Sequence, residues 1–255
     1  MKGIMFISYV YLFVVGVCVA SFINVVVYRV PLHISVAKGR SFCPSCHHSL
    51  KALDLIPVFS YLLLRGKCRY CQAAISVRYP IVELIGGLLA VLCFHHYGFD
   101  WMTILSFVIF MILLSIALID FDTMTIPNGL LLFLLPLAIV IAVLNPQIDW
   151  ISRSIGFFIV SLPMYLLDYI IPDCFGGGDI KMMAVCGIML GWINTLVAMF
   201  IGIMTCGIAA SILLLQKKAD RKMHIAFGPY LAFGVGAALL YGEPLLSSYL
   251  ALFGL

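Results

Sequence analysis

Long apolar runs without charge recur along the chain at roughly 4–28, 81–98, 101–119, 129–144, 151–171, 182–215 and 224–241. A helix crossing a hydrocarbon core about 30 Å thick needs about 20 such residues, so these runs constrain the fold more than any motif does. Composition agrees: 64% of the 255 residues are hydrophobic and 10% are charged, which excludes both an ordinary soluble domain and a disordered chain. The first run is too long for a secretory signal peptide and lacks a small-residue cleavage site before its polar flank at Asn24, Arg29 and Pro31. It reads as a retained span.

The stretch from Ile180 to Gln216 would be about 55 Å long as one helix, too long for one crossing. Gly191, Trp192 and Asn194 lie near its middle and predict a break into two spans. That makes an all-α polytopic membrane protein of about eight transmembrane helices. With the N-terminus external, segments 29–80, 120–128, 172–181 and 216–223 face the cytoplasm and hold 13 of the 15 Lys and Arg residues. Such a bias orients membrane proteins, and the net charge of +4 therefore marks topology and anionic lipid contact, not nucleic-acid binding. The organisation expected is a first transmembrane helix at 1–28, a cytoplasmic loop module at 29–80, and a membrane core at 81–255.

Within the loop, Cys43-Pro-Ser-Cys46 and Cys68-Arg-Tyr-Cys71 form two CxxC pairs. Four thiolates at this spacing predict a zinc-ribbon-like structural Zn2+ site between helices 1 and 2, which would supply folding energy to a loop with little core of its own. Two other readings stand beside it: a pair of structural disulfides, disfavoured in a reducing compartment, and c-type haem attachment at Cys43–His47. The isolated Cys18, Cys93, Cys174, Cys186 and Cys206 read as small packing residues. His95, His96 and His224 lack a ligand partner at helical spacing and read as interfacial.

Carboxylates at membrane depth are functional candidates by default. Asp54, Asp100, Asp149, Asp220 and Glu243 fall in loops or turns, and Glu83 and Asp168 each admit a structural role near a helix end. The remaining acids are Asp120 and Asp122 at the end of the third span, with Asp173 and Asp179 at the start of the sixth. The alternating topology places both motifs at one bilayer boundary. Two adjacent carboxylates sharing a proton perform aspartyl-protease chemistry, one drawing a proton from water and the other donating to the amide. The glycines at 176 to 178 admit positive φ and close approach of a substrate backbone. They equally suit a tight turn with Asp179 capping the next helix.

These segments together resemble the bacterial type IV prepilin leader peptidases, within the GxGD class of membrane aspartyl proteases. The resemblance spans nearly the whole chain. It is carried by Ser21–Arg29, the two CxxC pairs, Arg78-Tyr79-Pro80-Ile-Val-Glu83, Ile119-Asp120 with Pro127-Asn128, and Gly176-Gly-Gly-Asp179-Ile-Lys181. It implies Asp120 and Asp179 as the catalytic pair, with Asp122 and Asp173 outside it, and Gly176, Gly178 and Lys181 as substrate-positioning residues. The implied reaction is cleavage of the short basic leader of type IV prepilins or type II secretion pseudopilins at the bacterial inner membrane. Methylation of the new N-terminus with S-adenosylmethionine is implied by the resemblance alone, since no glycine-rich nucleotide motif is free to bind it. The chain departs from the longest-known members in its compact loop and in Asn128, where many carry Asp.

Two other classes remain open from the residues. An ion- or proton-coupled transporter would use Asp120, Asp122, Asp168 and Asp179 as a relay, though no inverted repeat is visible. A zinc-dependent membrane assembly factor would use the loop for docking and the carboxylates structurally.

Overall fold

The structure, a computed structural model, describes residues 2–172, 174–216 and 225–251. Asp173, Asp220, His224 and the basic group Lys217, Lys218, Arg221 and Lys222 lie outside the described residues. Within them every regular element is a helix, and strand pairing is confined to two isolated bridges. Six helices are long and apolar enough to cross a bilayer, and a shorter apolar helix adds a seventh hydrophobic element. Large side chains such as Phe6, Leu132, Phe133 and Tyr169 are turned outward, which suits a surface solvated by lipid.

The chain divides into two compact units, residues 1–111 and 112–255. The first contains α1 (Lys2–Arg29), the cysteine module with a short α2 (Phe59–Leu63), α3 (Arg78–Tyr97) and the beginning of α4 (Trp101–Thr123). The α3 helix starts at Arg78, before the apolar run expected from residue 81. Small residues four apart on both helices let α1 and α3 touch along their backbones: a Cβ added at Gly16 would come 2.5 Å from the Gly86 carbonyl oxygen and 2.7 Å from the Ala90 Cβ. In lipid, such close van der Waals packing replaces the hydrophobic drive that joins helices in water. The buried Arg29 then turns the chain out of α1, donating to the carbonyls of Ser35, Lys38 and Arg40 at 2.9, 2.9 and 3.0 Å. Asp100, assigned from sequence to a hydrated turn, caps α4 through the Met102 N–H at 2.7 Å.

The second unit contains the end of α4, α5 (Asn128–Leu144), α6 (Trp150–Ile159), α7 (Ser161–Ile170), α8 (Gly177–Leu215) and α9 (Gly228–Ala251). The fifth apolar run is thus two short helices meeting at Val160, and α9 continues ten residues beyond the expected end of its run. The expected break in the long run is present. Within α8, Gly191 has φ 71° and ψ 173°, a non-helical pair that interrupts the hydrogen-bond ladder.

A broken helix leaves carbonyl and N–H groups without partners, and α6 supplies them. Arg153, 2% exposed, donates to the carbonyls of Ile188 and Met189 above the break and to those of Asn145 and Ile148. The neighbouring Ser152 hydroxyl accepts the Trp192 N–H at 3.4 Å. Arg153, one of the two cations that the sequence places outside the cytoplasm, is therefore a buried clamp on the break. Gly156 allows this contact, since a Cβ there would lie 2.5 Å from the Gly187 carbonyl oxygen.

Candidate active site and metal centre

The last turn of α4 carries Asp120, and the first turn of α8 carries Asp179. Both are nearly covered, at 4% and 7% exposure, whereas Asp122 is exposed on the other side of its turn. The two buried carboxylates lie close enough for direct electrostatic interaction. Of the four acids in the two motifs, Asp120 and Asp179 are brought together, Asp122 is not, and Asp173 is outside the described residues.

Each carboxylate rests on a glycine. A Cβ at Gly176 would come 3.0 Å from Asp179 Oδ2, and one at Gly228 only 2.7 Å from Asp120 Oδ2. The Gly228 N–H also donates to Asp120 Oδ2 at 2.9 Å. Asp179 Oδ1 is buried without a hydrogen-bond partner among the described residues, which leaves one carboxylate oxygen for a proton or a reacting group. Phe175 and Phe227, each directly before one of these glycines, approach with ring centroids 6.0 Å apart.

The glycine run serves close approach rather than unusual backbone conformation. None of Gly176, Gly177 and Gly178 has a positive φ, which corrects that part of the sequence expectation. Gly178 packs on Ile126, whose Cβ would lie 2.6 Å from an added Cβ, while Gly177 faces open space. The helix N-cap is Gly176 and not Asp179, which lies in the first turn with its carboxylate against the Gly176 backbone. Lys181 donates to Asn128 Oδ1 at 3.1 Å and joins the segments that carry the two aspartates.

Gly228 is the member of the site that sequence reasoning missed. The signal was a glycine followed by proline at the opening of the last span, where a first-turn proline is tolerated, in a segment without any acid to attract attention. Asp168 accepts the Phe175 N–H at 3.2 Å.

The cysteine module is built from two knuckles of the same design. Cys43 accepts from the His47 N–H at 2.8 Å and donates its own N–H to His48 at 3.0 Å; Cys68 does the same with Gln72 at 3.0 Å and Ala73 at 2.8 Å. His47 and Gln72 both take positive φ, 55° and 60°, which turns each second cysteine back toward the first. The four sulfurs lie within 4.8 Å of one another, with Cys43 and Cys71 3.9 Å apart. Sulfurs placed tetrahedrally about 2.3 Å from a zinc ion would be about 3.8 Å apart, so the donor set fits such a metal. All four cysteines are free, and neither paired disulfides nor the CxxCH haem pattern describes their arrangement.

The thiols conflict electrostatically. The Cys46 N–H, helped by the Ser45 N–H and neighbouring thiols and opposed by burial, draws Cys43 down to about 7. Cys71, although the Ala73 N–H favours its thiolate, is pushed up to about 11 by burial and the other three thiols. A divalent cation among them would remove the conflict. Asp54 braces the module, accepting from Arg69 at 2.7 Å, Tyr70 at 3.1 Å and the Lys51 N–H at 3.1 Å. Burial works to raise its carboxyl, and these hydrogen bonds outweigh it and hold the group below the usual carboxylate range.

Two buried carboxylates converge from the ends of apolar membrane-type helices, the arrangement that aspartic-peptidase chemistry requires. The Bacterial Peptidase A24 N-terminal domain matches residues 14–97 and the Type IV leader peptidase family matches residues 107–211. The chain belongs to the type IV leader peptidase family. A relative from Bacillus subtilis (strain 168), named prepilin leader peptidase/N-methyltransferase, is 31% identical over 94% of this chain and 96% of its own. Proteins of the same name from Stutzerimonas stutzeri and Neisseria gonorrhoeae are 31% and 32% identical, over 93% and 86% of this chain and 92% and 85% of theirs. No solved structure shows significant similarity. These likenesses lend no support to the ion-transport and assembly-factor readings.

Proposed function

We propose that this chain removes the short basic leader from type IV prepilins or type II secretion pseudopilins and then methylates the new N-terminus. The observation that carries the peptidase half is the meeting of Asp120 and Asp179, 59 positions apart in the chain, against two glycines. In the reaction Asp120, oriented by the Gly228 N–H, accepts a proton from the attacking water. Asp179 holds the shared proton and delivers it to the scissile amide. Gly176 and Gly178 let the Asp179 carboxylate and Ile126 pack close, Gly177 leaves open space for an extended substrate backbone beside the dyad, and Lys181, held by Asn128, positions the substrate.

Cys43, Cys46, Cys68 and Cys71 hold one structural Zn2+ that shapes the module at 29–80, between a first span at 1–28 and a protease core at 81–255. The chain crosses the bacterial inner membrane about eight times, α8 crossing twice by way of Gly191, with the module and the dyad on the cytoplasmic side. Lys and Arg of the module meet anionic headgroups there. The methyl group comes from S-adenosylmethionine, as the N-methyltransferase in the relatives' names supports.

The test is to incubate membranes containing the protein with a prepilin and measure leader length by mass spectrometry, with Asp179→Ala as the comparison. Removal of the leader by wild type and not by Asp179→Ala is expected. Equal cleavage by the folded variant would overturn the aspartyl mechanism.

A further inference from the structure

The first unit holds a cavity of about 600 Å³ whose lining residues include neither Asp120 nor Asp179. Its volume lies within the range of about 300–1,000 Å³ typical of small-molecule sites. Tyr28, Tyr61, Tyr79 and Glu83 are among the residues of its wall, on an otherwise mainly apolar surface. Glu83 is 8% exposed, and among the described residues its hydrogen-bond partner is the Val58 N–H, 2.7 Å from Oε2. Its other oxygen takes no hydrogen bond among the described residues.

Val58, whose N–H is held by Glu83, takes φ 61°, a conformation a β-branched residue rarely adopts. The neighbouring Pro57 and Ser60 line the cavity, so a strained turn is maintained at its edge. Strain of this kind persists where surrounding structure enforces it, and it concentrates at ligand sites. Cys43 and Cys68 also contribute to the wall, and a metal closing the four-thiol cluster would fix this side of the cavity.

We infer that this cavity is the methyl-donor site, taking S-adenosylmethionine with its cationic end toward Glu83 and the tyrosine rings. The inference rests on the methyltransferase reading above. A sulfonium nucleoside joins a fixed positive charge, an aromatic base and an amino-acid carboxylate in one molecule. The tyrosine faces and Glu83 attract the cation, and the rings give the base an apolar bed. When bound, the donor supplies a methyl group: the neutral amine's lone pair takes the carbon, the C–S electron pair stays on sulfur as a thioether, and one proton passes from nitrogen to water.

Calorimetry on the purified full-length protein, with S-adenosylmethionine and S-adenosylhomocysteine as probes, tests the site together with ultraviolet cross-linking of the labelled donor. Cross-linked peptides from residues 24–83 are expected. Glu83→Gln, which keeps an acceptor for Val58, should weaken S-adenosylmethionine at least tenfold while weakening the uncharged-sulfur analogue less, so that the ratio of their affinities moves toward one. Tyr79→Leu should weaken both. Donor binding with cross-links confined to residues 112–251, or affinity unchanged in both variants, would overturn the site and leave the methyltransferase reading standing. Failure of wild type both to bind the donor and to methylate a pre-cleaved substrate would overturn the reading, and the site with it.

Discussion

Replacing Gly228 with alanine tests whether the catalytic carboxylates depend on glycine contacts from a distant helix. The added Cβ would sit 2.7 Å from Asp120 Oδ2, 3.0 Å from Cγ and 3.1 Å from Cβ. The whole carboxyl end of the side chain is therefore in the way, and Oδ2 must withdraw by about 0.7 Å to reach the ordinary 3.4 Å contact. Asp120 is 4% exposed and has little room to turn aside. The displacement stretches the 2.9 Å bond from the Gly228 N–H, and a hydrogen bond to a charged group contributes about 1.5–3 kcal/mol. At about 1.4 kcal/mol per tenfold in rate, kcat should fall about 10- to 150-fold. A shift approaching 1 Å in a reacting group has a cost of similar order, about 100-fold. Since Gly228 lies behind Asp120, KM should change little. The assay is steady-state leader cleavage in detergent, followed by mass spectrometry, with thermal unfolding to confirm that the variant is folded. A folded Gly228→Ala protein with kcat within about twofold of wild type would refute the reasoning, because the clash would then have been absorbed without moving the carboxylate.

Asp120→Asn and Asp179→Asn should each abolish cleavage, with the double variant no worse than either, as for residues acting as one unit; Asp122→Asn should remain active in the same assay. A dyad needing one proton loses activity at both pH extremes, so kcat against pH should be bell-shaped, and a flat profile would count against it. Elemental analysis should find one zinc per chain, with affinity weakening as pH falls because the thiols must be deprotonated to bind; metal retained in full by a variant with all four cysteines changed to serine would refute the site. Gln72→Gly removes the penalty of about 1–2 kcal/mol for a side chain at φ 60°, and should raise the unfolding temperature; an unchanged or lower value would refute the strain argument. Arg153→Met strands the carbonyls of Asn145, Ile148, Ile188 and Met189, and should destabilise the second unit by about 3 kcal/mol or more in denaturant titration.

The membrane class, the positions of the apolar helices, the two knuckles and the two acidic motifs were all legible in the amino-acid sequence, because each rests on local chemistry, whereas the choice of Asp120 and Asp179 within those motifs came from the family resemblance. A bilayer imposes helix length, a metal imposes cysteine spacing, and a carboxylate at membrane depth declares itself by its cost. The break in α8 was legible for the same reason, since a run of that length exceeds the hydrocarbon thickness. Tertiary structure decided what depended on approach between distant segments. Gly228 reaches Asp120 across 108 positions, and no local pattern marks an N–H as the partner of a particular carboxylate. Arg153 looked like one of two stray external cations until helix crossing placed it under the carbonyls freed at Gly191. The glycines before Asp179 had a reason visible in sequence, conformational freedom, that proved not to be theirs; packing against Ile126 and the Asp179 carboxylate was. Glu83, ambiguous as a charge at a helix start, acquired its role only when the fold set it against Val58 on the wall of a cavity that exists in space and not in the chain.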